Sequence, residues 1–217
     1  MIKKRRIIDI GIALLSGLAI TSCIATTRES QVETAISLTR EHFKNTATIK
    51  DDSLDTTATI TTVNGFQGKR GLLGIVWDDN FLRAFIDKKT GRTTFQLYQI
   101  IYCQGRGWDF FQTVNYQTLT GVESHPVTVI ERDVDCRSWR TRGCLYTEHI
   151  GFDVDEKLLR TVAADYQSGQ RWAWKFKLNA KSGRDYTDGV LPAEIAGLLD
   201  KVDEYVTSRG LPQSTTK

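Results

Sequence analysis

Arg171-Trp172-Ala173-Trp174-Lys175-Phe176-Lys177-Leu178 decides the fold class of this chain. Trp172, Trp174, Phe176 and Leu178 fall on one side of an extended backbone, and Arg171, Ala173, Lys175 and Lys177 fall on the other. A period of two with aromatic residues on one side describes a strand with one dry face and one wet face. Each aromatic side chain buries about 150–250 Å², so this face is expected to anchor the core. A half-wet strand belongs to an antiparallel sheet, because all-parallel sheets are covered on both faces. Towards the C-terminus, Ser182-Gly183-Arg184-Asp185 turns the chain into Pro192, which suits a first helical position. Ile195, Leu198, Leu199, Val202 and Val206 then recur at helical spacing until Gly210, which predicts a helix over 192–208. Towards the N-terminus, Leu158, Leu159, Val162 and Ala163 share one face of a predicted helix at 155–167, with Gly169 as its stop.

Further upstream the pattern is that of strands. Residues 46–62 hold seven Thr, a residue stiff at χ1 and suited to sheets. Leu82, Ala84 and Ile86 alternate, Lys88-Lys89-Thr90-Gly91 turns, and Arg92 to Cys103 alternates again, so 81–103 reads as a hairpin. Gly105-Arg106-Gly107 breaks it, and 108–119, 127–136 and 143–152 are three more strand candidates, with Pro126 marking the start of the second. Ser30-Gln31-Val32-Glu33 matches a capping box that opens a helix over 31–44, with Val32, Ala35, Ile36 and Phe43 on one face. The expected fold is α+β: a curved antiparallel β-sheet with helices at 31–44, 155–167 and 192–208 packed on one face. Residues 31–210 form a single domain, preceded by a tether at 23–30 and followed by a frayed tail at 211–217.

The chain has 217 residues and a formal net charge of +3. Lys3, Lys4, Arg5 and Arg6 against Asp9 account for all of it, leaving 25 basic and 25 acidic residues from Cys23 onward. A neutral body excludes a basic nucleic-acid-binding surface as the default, since phosphate binding needs surplus Lys and Arg. A hydrophobic fraction of 40% excludes disorder. The four cations precede an apolar run whose uninterrupted part, Ile10 to Ile20, has 11 residues. As a helix that is about 16 Å, half of a bilayer core, so it reads as an export signal rather than a span.

That run ends in Leu18-Ala19-Ile20-Thr21-Ser22-Cys23, an apolar residue at −3 and small residues at −2 and −1 before a Cys. It resembles the lipobox of bacterial lipoproteins, over residues 1–23 only. Asp9 departs from the pattern, because a carboxylate near the apolar run costs insertion energy. The resemblance implies that 1–22 is a signal peptide and that Cys23 becomes the acylated N-terminus. Ile24 stands where an Asp implies inner-membrane retention, so the implied location is the outer membrane, facing the periplasm. The partner so implied is the membrane, through the lipid on Cys23.

Cys103, Cys136 and Cys144 are an odd set, so at most one disulfide forms among them. Cys136 and Cys144 are nearest in sequence, and their pairing leaves Cys103 as a buried thiol on a strand; Cys103 with either of the others is the competitor. No metal site is expected. His149 follows Cys144 by five residues, which matches no compact zinc spacing. Asp133, Asp135, Asp153 and Asp155 form two Asp-Val-Asp triplets without the glycine and terminal Glu of a calcium loop. With Glu131 the first triplet reads as a solvated acidic edge.

No Gly-x-Ser-x-Gly or phosphate-binding loop is present, and no cofactor is expected. Two features point to binding. Arg137-Ser138-Trp139-Arg140-Thr141-Arg142 lies between Cys136 and Cys144. The guanidiniums of Arg137, Arg140 and Arg142 and the Trp139 indole on a stapled loop suit a phosphate or carboxylate; the bland alternative is a solvated hairpin tip paired with the acidic edge. Gln104 to Phe111 holds a Gly-Arg-Gly turn that admits a backbone closely. The functional expectation is therefore a lipid-anchored cell-envelope accessory lipoprotein with a binding or assembly role, more binding protein than enzyme. Its partner is an envelope protein or an anionic envelope component, not nucleic acid. The alternatives are a small envelope hydrolase using His149 or His125, and a small-ligand carrier whose aromatic sheet face curves round a cavity.

Overall fold

The computed structural model describes residues 38–65, 80–105, 107–136, 143–168 and 172–212. The fold is α+β, with two antiparallel sheets and three helices among these residues. Across the larger sheet the order is β1 (Thr48–Lys50), β2 (Thr57–Thr61), β3 (Asn80–Asp87), β4 (Thr93–Gln104), β8 (Leu145–Val154) and β7 (Thr128–Asp135). Across the smaller it is β10 (Tyr186–Val190), β9 (Trp174–Ala180), β5 (Phe111–Thr118) and β6 (Gly121–Pro126). The helices are α1 (Arg40–Thr46), α2 (Glu156–Ala164) and α3 (Pro192–Ser208).

The single curved sheet of the sequence reading is thus two sheets, and Pro126 stands at the junction. It ends β6 rather than starting β7. A proline has no N–H for a ladder, and here the chain leaves β5 and takes up β8 as its new neighbour. The β3–β4 hairpin follows the alternation, with a turn held by Asp87, whose Oδ1 accepts the N–H groups of Lys89 and Thr90 at 3.0 and 2.7 Å. Gly91 there has φ +71°, a backbone state that L side chains rarely adopt.

Strand β9 begins at Trp174, where its pairing with Val190 of β10 starts. Trp172 precedes that pairing and is 38% exposed, so the aromatic face is shorter than its periodicity predicts. Strand β10 has strand formers in Tyr186, Thr187 and Val190, but Asp188 and Gly189 interrupt them, and its register with β9 holds it. Helix α2 stops at Ala164 instead of 167, and Asp155 caps it by accepting the Leu158 N–H. Helix α1 is capped by Thr39 and ends at Thr46; the Ser30–Glu33 box and the first part of the predicted helix lie outside the described residues. Helix α3 spans its predicted range.

The core lies between the inner face of the larger sheet and the layer made by the smaller sheet and α3. Ile60, Leu82, Leu97, Ile150 and Phe152 on one side meet Val114, Phe176, Leu178 and Leu198 on the other, all buried. The Phe152 ring lies 5.3 Å from Phe176 and 5.9 Å from Tyr116. Every residue of α3 from Pro192 to Leu199 is buried, because α1 covers its outer side. That crossing needs Gly197: a Cβ there would stand 2.6 Å from Phe43 Cβ and 2.7 Å from the Arg40 carbonyl oxygen.

Candidate functional site

Strands β7 and β8 form a ribbon at one side of the larger sheet. Their register runs from Thr128 opposite Gly151 to Asp135 opposite Leu145. Cys136 and Cys144 are therefore the next pair of the ladder, which is why they bond: the disulfide is present with Cα atoms 4.1 Å apart. It closes the described end of the ribbon. Arg137, Trp139, Arg140 and Arg142, like Cys23, lie outside the described residues. Seven of the eight β7 residues are exposed, so the ribbon edge stands clear of the core.

The segment after β4 is pinned beside this ribbon by two buried carboxylates. Glu148 on β8 projects to the same inward side as Tyr146, Ile150 and Phe152, and is 1% exposed. Its Oε1 accepts the backbone N–H groups of Asp109 and Phe110, and its Oε2 receives Arg132 Nε of β7 at 3.2 Å. Asp109, also buried, accepts the Ser182 hydroxyl at 2.8 Å and the Arg184 guanidinium from the β9–β10 turn. Phe110 holds φ +58°, unusual for a side chain of its size, under the Arg132 guanidinium at 4.6 Å. Main-chain bonds from Lys181 and Ser182 to the carbonyls of Phe110 and Asp109 complete the strap. These carboxylates receive donors from both sheets, so the arrangement fastens the ribbon to the smaller sheet.

Cys103 is buried on β4, its Sγ 3.3 Å from Asp109 Oδ2. It bonds neither Cys136 nor Cys144, but no described cysteine is a free thiol; the lone buried thiol expected at this position is not what the structure holds.

The three histidines all have partners. His149, on the outer face of β8, places Nδ1 2.8 Å from the Tyr98 hydroxyl. Tyr98 stacks on Phe81 at 4.6 Å and carries the Arg83 guanidinium 4.5 Å above its ring. Burial pushes the Tyr98 hydroxyl above its usual pKa, against the pull of Arg83. His125, on β6, is half-exposed, stacks on Tyr116 and lies 3.0 Å from Glu123 Oε2. His42 bonds the Gly65 carbonyl oxygen through Nε2 at 2.6 Å. An open cleft between α1 and α3 is lined by Lys44, Asp200, Asp203, Glu204, Thr207 and Ser208 and contains no histidine. Lys44 pairs there with Glu204 at 3.0 Å.

The structure therefore brings together Cys136 and Cys144, and brings Glu131 opposite His149, without setting an imidazole in a cavity. On the aromatic face of β9, Trp174 meets Tyr116 at 5.2 Å and Phe176 meets Phe152 at 5.3 Å between ring centroids. Among the described residues no group of three or more His, Cys, Asp or Glu is placed to hold a metal ion. No described helix is long and apolar enough to cross a membrane. Sequence reasoning missed Glu148 and Asp109. Glu148 had a signal: it occupies an inward position in a strand that otherwise alternates Tyr146, Ile150 and Phe152. Asp109 had none, since Trp108 to Phe110 is not a strand.

No protein-family model matches this chain, and no curated protein or solved structure matches it.

Proposed function

We propose that this protein is a lipid-anchored lipoprotein of the bacterial cell envelope, held by Cys23 in the outer membrane and facing the periplasm, with a binding or assembly role. Its partner on this reading is an envelope protein or an anionic envelope component, met by the Arg137, Trp139, Arg140 and Arg142 loop. The observation that carries the reading is the Cys136–Cys144 disulfide at the end of an exposed ribbon. A structural disulfide suits the oxidising envelope that the leader implies, and it fixes the base of the loop that carries the guanidiniums. The network of Glu148 and Asp109 supports the same reading, because it ties the ribbon to both sheets and reduces the cost of ordering it on binding.

Two experiments test it. Metabolic labelling with a fatty acid is expected to mark the wild-type protein in the membrane fraction and not Cys23→Ala; labelling that persists in the variant contradicts the anchor. Co-purification from gently solubilised membranes is expected to recover a stoichiometric partner, lost on Arg137→Ala/Trp139→Ala/Arg140→Ala with the unfolding transition unchanged. Recovery that is unaffected refutes the loop as the contact.

A further inference from the structure

Among the described residues, Arg40, Arg132, Arg160, Arg184 and Arg209 each meet a carboxylate, and Arg92 is exposed to water. Arg83 is different. It is half-buried on the outer face of β3, opposite in direction to Leu82 and Ala84, and pairs with no carboxylate among the described residues. Its Nη2 donates to Gln96 Oε1 across the β3–β4 pair. Its Nε is buried without an acceptor, and no bond holds Nη1. The Tyr98 ring lies 4.5 Å from the guanidinium carbon and the Phe85 ring 5.4 Å from it. Phe81 stacks on Tyr98 beside them. Burial pulls the guanidinium below its ordinary pKa, with Tyr98 alone opposing it. Taking a cation partly out of water costs free energy that a carboxylate ordinarily offsets, and the two rings return only part of it.

The groups around Arg83 suit an anion. Thr61 stands opposite it on β2 and accepts the Val63 N–H, which leaves its own hydroxyl hydrogen to donate. The described acids on this face are engaged or distant: Asp87 holds the N–H groups of its turn, Asp153 takes the Gln96 amide, and Glu131 is three strands away. We propose that Arg83 anchors a binding site, on the outer face of β2, β3 and β4, for the carboxylate of a small organic acid with an aromatic body. A carboxylate is planar and meets a guanidinium edge in its own plane, which suits a group held against ring faces. A phosphate carries further oxygens out of that plane, towards the rings. The aromatic body lies along Phe81, Phe85 and Tyr98, and those rings exclude water from the ion pair and so strengthen it. The site needs neither the 137–142 loop nor the lipid anchor.

The test titrates the full-length protein in detergent with benzoate, benzamide and inorganic phosphate, and follows the arginine Nε–H signals by nitrogen-15 NMR. Benzoate is expected to shift one such signal saturably at millimolar concentration, and that signal is absent from Arg83→Gln. Benzamide has the ring without the charge, and phosphate has the charge without the ring; each is expected to bind at least about tenfold more weakly. Arg83→Lys keeps the charge and loses the fork, and is expected to weaken benzoate about tenfold. Arg92→Gln, a change of the same charge at an exposed position, is expected to leave binding as it is. The unfolding transition of Arg83→Gln is expected to match the wild type or rise, because the substitution removes a half-buried cation that no described carboxylate offsets. No benzoate binding up to about 10 mM, binding that survives Arg83→Gln, or equal loss in Arg92→Gln overturns the proposal. Benzamide or phosphate binding as tightly as benzoate overturns the assignment of the ligand as an aromatic carboxylate. Such a result leaves the fatty-acid labelling and partner-recovery experiments to decide the anchor and the loop on their own.

Discussion

Replacing Glu194 with Gln isolates the one described carboxyl that burial pushes above its ordinary range. Glu194 lies in the first turn of α3, where a carboxylate is ordinarily favoured by the helix dipole. The Thr62 hydroxyl donates to its Oε1 at 2.5 Å, and Thr62 Oγ1 itself accepts the Leu82 N–H at 2.9 Å. Its Oε2 is buried without a partner. Burial outweighs the Thr62 and Leu82 contacts and pushes the pKa from 4.5 up to about 7. The native state then holds this proton more tightly than the unfolded chain, so stability is greatest below the unfolded value and falls as pH rises towards 7. Between pH 5 and pH 8 the loss attributable to Glu194 is about 2–3 kcal/mol. Glu194→Gln carries no such dependence. Urea unfolding at the two pH values is therefore expected to show the variant gaining about 2–3 kcal/mol on the wild type, a relative midpoint shift of about 1 M. The difference between the two proteins cancels every other titrating group, including Asp51, Asp87 and Asp185, whose partners hold them below the usual carboxylate range. A variant-minus-wild-type difference that does not change with pH refutes the argument.

Three further perturbations follow from the same contacts. Cys136→Ala/Cys144→Ala opens a loop of nine residues and is expected to cost about 2.6 kcal/mol in equilibrium unfolding under oxidising conditions; an unchanged midpoint means the ribbon is uncoupled from the fold. Glu148→Ala leaves Arg132 and the N–H groups of Asp109 and Phe110 without their acceptor, and is expected to cost about 3 kcal/mol. Gly197→Ala forces a methyl against Phe43 and the α1 backbone and is expected to cost about 1–3 kcal/mol; thermal unfolding that matches the wild type contradicts the close crossing of α1 and α3.

The elements legible in the sequence are those whose pattern and environment agree. The Phe81–Cys103 alternation and the Pro192–Val206 helix have one apolar face each, and both appear near their predicted bounds. Strand β10 was illegible because Asp188 and Gly189 break its short run of strand formers, and pairing with β9 holds it in place. The division into two sheets depends on Pro126 exchanging one neighbouring strand for another, a long-range choice that no local pattern carries. The Cys136–Cys144 pair was readable from spacing, and the register of β7 with β8 explains why that spacing is the right one. The buried acids behave differently. Asp109 and Glu148 are 39 residues apart, and only the folded ribbon brings them together.

The anchor is tested most directly by peptide mass spectrometry of the N-terminus of protein purified from membranes without reduction. The expected result is a chain that starts at Cys23 with lipid on its sulfur. A chain that retains Met1, or a Cys23 whose sulfur carries no lipid, whether as a thiol or in a disulfide, contradicts the lipoprotein reading.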